Sequence, residues 1–344
     1  MVDFHLLIVI WYRLNKRELP WRNTNDPYFI WLSEIILQQT RVAQGLSYYL
    51  KFTQNYPTVF DLANASEQDV LNDWQGLGYY SRARNLHTTA KIIAAEYNGV
   101  FPTTFSEIKK LKGIGDYTAA AISSFAFNLP HAVVDGNVYR VLSRVFNIDL
   151  PIDSKEGQQY FAQLAQELLP NNDAAIHNQA IMEMGAIQCL PTNPLCDSCP
   201  LLEKCLSYQL QNTNERPVKS KKTKTRDRFF HFLIFQQDNQ LVLEKRESKD
   251  IWQHLFQFPL IETSEELTKK EAFKVIFEKF DVKPILQSEK VIHILSHQKI
   301  NARFYFFDCF PSNLPSTFLR INRKDIQDFP LPRLIDRFLE ESEF

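Results

Sequence analysis

Four of the five cysteines, Cys189, Cys196, Cys199 and Cys205, fall within seventeen residues in the spacing C-x6-C-x2-C-x5-C. Four thiolates crowded into one loop are a metal centre in waiting. Disulfide pairing would leave an odd thiol and would need an export signal that this sequence does not display. Zinc sites usually combine two short-spaced pairs, and here only Cys196 and Cys199 form one. A [4Fe–4S] cluster takes four thiolates equally well and suits the uneven spacing better. A structural zinc knuckle is the alternative. The fifth cysteine, Cys309, lies in a strand-like segment and reads as a buried structural thiol.

Two carboxyl groups stand out against their surroundings. Glu34 is set among Ile30, Trp31, Ile35, Ile36 and Leu37. Helical spacing puts Gln38 and Arg41 on its face, a polar stripe in an apolar helix. A carboxyl group held there is desolvated, and desolvation raises its pKa until it keeps a proton near neutrality. The plain alternative is an ordinary solvated glutamate. Asp135 stands between the apolar run HAVV and the next helix. Its simplest role is an N-cap for the first amides of that helix. A fixed carboxylate at that point could also stabilise a developing positive charge. The segment LKGIGDYTAAAI (111–122) sets a short helix, a G-x-G turn and a second helix in succession. Gly113 and Gly115 free the backbone to turn there, and the following helix start offers N–H groups to a phosphate. Such a unit grips nucleic-acid backbone without reading sequence.

These residues need a scaffold, and the chain supplies two kinds. Residues 1–210 read as helix after helix, at 29–43, 82–97, 117–126, 136–146 and 157–169, with Pro, Gly and Asn in the connections. Phe4, Leu7, Ile8, Trp11 and Leu14 form the apolar face of a first helix. Residues 211–228 carry seven basic and two acidic side chains and one apolar one, Val218, and read as a solvated basic linker. After 228 the pattern changes to short aromatic and β-branched segments (FFHFLIF, QLVLEKR, FQFPLI, KVIHILS, ARFYFFDCF), with helices near 265–280 and 331–340. The expected architecture is therefore two domains, all-α over 1–210 and α+β over 229–344. The net charge is −1, and residues 1–210 hold 16 basic against 20 acidic side chains, so any nucleic-acid surface must come from local patches and backbone donors. No apolar run approaches the roughly 18 residues of a membrane span. Reduced thiols point to the cytoplasm, with nucleoid association if the source is bacterial.

The G-x-G unit, VVDGNVYRV (133–141) after it, and the four-cysteine loop together resemble the endonuclease III superfamily. LPWR (19–22), WLSEIILQQTRV (31–42) and GLGYYSRARNL (76–86) are similar within it to MutY-type adenine DNA glycosylases, which also carry a C-terminal domain related to Nudix hydrolases. The resemblance runs from about residue 4 to the end. It implies a helix–hairpin–helix at 111–122, a [4Fe–4S] loop at 189–205 and a Nudix-like domain after the linker. It implies that Glu34 protonates adenine and later activates water, that Asp135 stabilises the oxocarbenium ion or attacks it, and that Asn137 orients. Bifunctional relatives carry a lysine at the position of Tyr117, whose amine forms a Schiff base. A phenol cannot, so strand cleavage should be weak or absent. Lys112 precedes the first glycine of the turn and faces solvent or phosphate.

By the same resemblance Gln39, Leu77 and Tyr79 wedge into the duplex while the base is extruded. Trp21, Arg22 and Gln179 line the adenine pocket, and Ser296 and His297 probe an opposite 8-oxoguanine. Leu295 stands where the family usually has Phe. The loop 190–195 lacks basic residues, so phosphate contacts fall to Arg140, Arg144 or the hairpin, with Gly113, Gly115 and Arg140 the expected DNA contacts. The expected partner is double-stranded DNA with adenine opposite 8-oxoguanine or guanine, bound by a monomer. The competing readings are a bifunctional glycosylase for damaged pyrimidines and a catalytically silent iron–sulfur DNA-binding protein. The Gly-rich, multi-glutamate motif of Nudix hydrolysis is missing from 228–344.

Overall fold

In the computed structural model, residues 2–220 and 225–342 are described. The helices run in order α1 (Val2–Asn15), α2 (Pro27–Leu37), α3 (Val42–Asn55), α4 (Val59–Asn64), α5 (Glu67–Asp73), α6 (Ser81–Glu96) and α7 (Phe105–Ile108). They continue with α8 (Asp116–Phe127), α9 (Gly136–Val145), α10 (Lys155–Leu168), α11 (Ala174–Glu183), α12 (Leu206–Gln209), α13 (Lys269–Phe280) and α14 (Arg333–Glu341). Eight strands lie in the C-terminal part: β1 (Arg226–Gln237), β2 (Gln240–Lys245), β3 (Phe256–Gln257), β4 (Leu260–Thr263), β5 (Leu286–Gln287), β6 (Val291–Ile294), β7 (Gln298–Phe307) and β8 (Leu319–Asn322).

Two compact units result, and their division departs from the expected boundaries at two places. Residues 65–84 belong with the C-terminal unit, because Gln68 and Asn72 donate to the Asp328 carbonyl and the Tyr80 hydroxyl donates to that of Leu331. The expected linker is also mostly structured. Val218 accepts from the Ile152 amide, and Ser220 is bonded to Asp153, so 211–220 lies on the helical unit. Arg226–Arg228 already belong to β1, and Arg228 is buried between Asp250 and Glu262. Its guanidinium therefore does not lie free along a solvated tether. Residues 221–224 of that segment are outside the described residues.

The helical unit has one main core, where α1, α9, α10 and α11 bring together Ile8, Val141, Leu142, Phe161, Ile181 and Met184. Helix α1 buries Phe4, Ile8 and Trp11 as its periodicity requires, joined by Val9 and Tyr12, but Leu14 lies beyond the packed face at 81% exposure. Helix α2 is apolar almost all round and is buried from Ile30 to Ile36, which is what a central helix requires. It starts on Pro27 behind an Asp26 cap and ends at Leu37, not at 43. Gln38 leaves the helix and Gln39 takes a left-handed backbone (φ 54). Arg41 consequently does not share a helical face with Glu34.

The hairpin expected at 111–122 forms between α7 and α8. Gly113 takes φ +79, and a Cβ there would lie 2.6 Å from the Asn85 Cβ. Gly115 is different: its φ is −92 and a Cβ would meet nothing within 4 Å. Gly113→Ala should cost about 2 kcal/mol, from the left-handed backbone and the clash. Gly115→Ala should leave stability within about 0.5 kcal/mol. Urea unfolding of the two variants checks the contrast, and equal losses would contradict it.

In the C-terminal unit β1 and β7 pair in parallel over ten residues, Arg226↔Gln298 to Phe235↔Phe307. Strands β2 and β4 flank β1, and β5 and β6 flank β7, all antiparallel. Helix α13 packs Ala272, Ile276 and Phe280 on Leu233, Phe235 and Tyr305. Cys309 falls just past β7 in a bend and is half-buried, so it is not the strand-buried thiol expected from sequence.

Candidate active site

Glu34, Tyr117, Asp135 and Asn137 line one cavity of about 640 Å3 in the helical unit, with Trp21, Arg22 and Gln179 on its walls. Seven residues expected from sequence, drawn from positions 21 to 179, thus converge on one space.

Glu34 sits on the last turns of α2 at 7% exposure. Burial pushes its pKa up to about 7, and the Asp135 charge adds to that. The Tyr117 hydroxyl, donating to its carboxyl group, and Arg22 pull the other way. Tyr117 itself is held well above its usual pKa by burial beside the two carboxyls, so it remains a donor. Asp135 caps α9, its Oδ1 accepting from the Asn137 and Val138 amides, each at 2.8 Å. Its Oδ2 accepts from Asn137 Nδ2 at 2.8 Å. Burial raises its pKa, while these three hydrogen bonds and the Arg140 charge hold it down. Capping bonds to the ionised form are what Glu34 lacks. The pair is therefore sorted by environment, Glu34 toward the acid and Asp135 toward the carboxylate. An acid and a fixed carboxylate facing one cavity can break a glycosidic bond.

Arg140 does not reach outward as expected. Nε donates to the Cys189 carbonyl (2.7 Å), and Nη2 to Asn137 Oδ1 (2.8 Å) and the Gly185 carbonyl (2.6 Å). It ties the Asp135–Asn137 turn to the start of the cysteine loop, and its guanidinium is committed. Arg144 is buried, donating to the Cys189 sulfur (3.3 Å) and to the carbonyls of Leu190, Pro191 and Thr213. The reading of either arginine as a phosphate contact is corrected accordingly. A π-helical turn, Met184–Gln188, brings Gly185 so close to Asn137 that a Cβ would lie 2.5 Å from its Cβ.

Sequence reading missed the most heavily bonded carboxylate of the cavity. Glu183 is buried at the end of α11 and held by Arg17 (2.6 and 2.8 Å) and Arg22 (2.6 and 3.1 Å). A lone acid in the apolar run AIMEMGA was the available signal, the same kind that marked Glu34. Arg22 thus lines the cavity with its guanidinium committed to Glu183. Trp21 stands edge-on to Tyr49, and Gln179 accepts from the Tyr12 hydroxyl at 2.5 Å. Ion pairing takes the Glu183 pKa down to about 2 against the cost of its burial. A depressed carboxylate stabilises above its unfolded pKa and loses that contribution only as pH falls toward 2. Glu183→Ala, leaving two buried cations unpaired, should cost about 3 kcal/mol at pH 7 by denaturant unfolding. A loss below 1 kcal/mol would mean that solvent already screens the cluster.

The four cysteines line a separate apolar pocket with Val141, Val145, Met184, Leu195 and Leu201. Among the described residues no histidine or carboxylate lines it, and no group of three or more His, Cys, Asp or Glu side chains is arranged to hold a single metal ion.

The remaining candidates are divided. Gln39 is exposed on its left-handed turn. Leu77 is buried at 7% exposure and packs as core, contrary to its assignment as a wedge. Tyr79 is exposed, with φ 48. It belongs to the C-terminal unit, where its hydroxyl is hydrogen-bonded to Ser296 Oγ. Ser296 and His297 form the tip of the β6–β7 hairpin, which closes by the Leu295 amide donating to the Gln298 carbonyl (2.8 Å). Together with Tyr79, Trp252 and Leu295 they line a cavity of about 480 Å3.

Comparison with known proteins identifies the class first. Residues 32–168 match the HhH-GPD superfamily base excision DNA repair protein model, and 230–341 match the NUDIX domain model. A solved thermostable thymine-DNA glycosylase superposes with a TM-score of 0.56 at 30% identity, covering 60% of this chain and 95% of that one. The helical unit is that of a DNA-binding base-excision glycosylase. An adenine DNA glycosylase of Buchnera aphidicola (subsp. Schizaphis graminum) is 36% identical over 98% of both chains. The human adenine DNA glycosylase is 42% identical over 59% of this chain and 39% of its own length. The chain belongs to the adenine DNA glycosylase family, as a base-excision glycosylase without the lysine of the lyases. Among the described residues no helix is long and apolar enough to cross a membrane.

Proposed function

We propose that the chain, as a monomer on double-stranded DNA, removes adenine mispaired with 8-oxoguanine or guanine after extruding it from the duplex. The observation that carries this reading is the buried Glu34, hydrogen-bonded by Tyr117, in one cavity with the capped Asp135. Protonated Glu34 donates to the extruded adenine, and the N-glycosidic bond breaks with its electrons going to the base. Asp135 stabilises the positive charge left on the sugar. The Glu34 carboxylate then takes a proton from the water that completes hydrolysis. Tyr117 holds Glu34, and Asn137 holds Asp135. Trp21, Arg22 and Gln179 shape the adenine pocket, Arg22 through its bond to Glu183.

The open hairpin at Gly115, with α8 beginning at the next residue, offers backbone amides to a phosphate. It makes Gly115→Ala a variant that folds but binds duplex more weakly. Gln39 and Tyr79 remain the candidates for probing the stack, and Ser296 and His297 for the opposite base. Four thiols in one largely apolar pocket suit a [4Fe–4S] cluster held by Cys189, Cys196, Cys199 and Cys205. Such a cluster would supply four covalent ties across the loop. Arg140 and Arg144 link that loop to α9 and the Asp135 turn.

Duplexes with adenine opposite 8-oxoguanine, guanine or cytosine, assayed with and without alkali, test the reading. Alkali-dependent breakage, strongest opposite 8-oxoguanine, is expected. Equal activity opposite cytosine would refute the mispair assignment.

A further inference from the structure

The turn that carries Tyr79 is held in an unfavourable backbone. Gly76 (φ 97) and Gly78 (φ 73) take positive φ without penalty, but Tyr79 (φ 48) is an aromatic residue in the left-handed region. Such a conformation persists only where neighbours over-determine it. Arg82 contributes directly to that determination. Its Nη2 donates to the carbonyls of Gly78 (3.2 Å) and Leu77 (3.4 Å). Its guanidinium carbon lies 5.7 Å from the Tyr79 ring centroid and 5.1 Å from that of Trp74. Trp74 Nε1 donates to the same Gly78 carbonyl at 3.0 Å. A planar cation that stacks and donates at once is a job for arginine and not for lysine. Although burial lowers its pKa to about 10, the group stays charged at neutral pH.

We propose that Arg82 is a positioning residue for recognition of the base opposite adenine, fixing the Tyr79 turn so that the phenol reaches Ser296 at the mouth of the C-terminal cavity. This rests on the reading of Ser296 as a probe of that base and of Tyr79, hydrogen-bonded to it, as a probe of the stack. Arg82 need not touch DNA to act. It sets the position of a residue that does, and its loss should therefore appear as lost discrimination that depends on Tyr79.

The test is a double-mutant cycle on the full-length protein, using Arg82→Lys, Tyr79→Leu and the pair. Single-turnover adenine release is measured opposite 8-oxoguanine and opposite guanine, and thermal midpoints are recorded beside it. Arg82→Lys is expected to lower the 8-oxoguanine-to-guanine rate ratio about tenfold. In the Tyr79→Leu background it should lower the ratio no further. Arg82→Gln repeats the cycle should the lysine variant not fold. An unchanged ratio in Arg82→Lys, or a loss that simply multiplies with that of Tyr79→Leu, overturns the positioning role while leaving the cavity reading intact. A Tyr79→Leu variant that keeps the full ratio overturns the cavity reading and this proposal with it.

Discussion

Glu34→Gln should reduce adenine release about a thousandfold while leaving duplex binding in place. The amide fills the same space and can still accept from Tyr117, but it has no proton to give. The same variant carries a stability signature of opposite sign. Burial pushes the pKa of folded Glu34 up to about 7, against 4.5 for the side chain free in water. Between those values the folded protein keeps a proton that the unfolded chain has lost, so stability falls as pH rises through that window, by about 3 kcal/mol in all. Glutamine has no such loss. Glu34→Gln should therefore be more stable than the wild type at pH 8 and nearly equal to it at pH 5, as read by urea unfolding at both. Wild-type single-turnover rates should likewise decline above about pH 7, where the acid is spent. A glutamine variant no more stable than wild type at pH 8 would mean that Glu34 is solvated and unperturbed.

Asp135→Asn should also lower the rate about a thousandfold, with little change in folding. Capping and charge separate cleanly at this position. Asparagine caps helices as well as aspartate does, so its Oδ1 can keep the bonds to the amides of Asn137 and Val138. Its Nδ2 then faces Asn137 Nδ2, where Oδ2 had accepted a hydrogen bond. One donor must turn away, which is a local cost and not an unfolding one. Asp135→Ala loses the cap as well and should drop a further ~1 kcal/mol in stability. An asparagine variant with near-normal activity would reduce Asp135 to a cap and remove the charge from the mechanism.

How far the sequence could be read depended on range. The hairpin at 111–122 and the Asp135 cap are made by residues within a few positions of one another, and each was legible as a pattern. The same holds for strands β1, β2, β6 and β7, whose aromatic and β-branched runs are local signals. Failures came where a distant partner decided the outcome. Arg140 is expected as a phosphate contact because the loop 190–195 lacks basic residues, yet carbonyls 45 and 49 residues away claim its donors. Glu183 went unnoticed because Arg17 and Arg22, its reasons for being buried, are more than 160 residues distant. Helix α2 ends six residues before the apolar periodicity predicts, because the backbone turns at Gln39 while the pattern runs on.

Composition and spacing supply the inventory: an all-helical part with a thiol-rich loop, an α+β part, and the carboxyl, phenol and amide side chains available for glycosidic chemistry. What those groups are chemically follows from how the chain packs. Glu34 is an acid near neutrality because packing of α2 and α8 removes water from it and sets Tyr117 and Asp135 beside it. The apolar helix around Glu34 already signals its desolvation, but the nearness of Tyr117 and Asp135 belongs to the folded surroundings, and no local pattern encodes it.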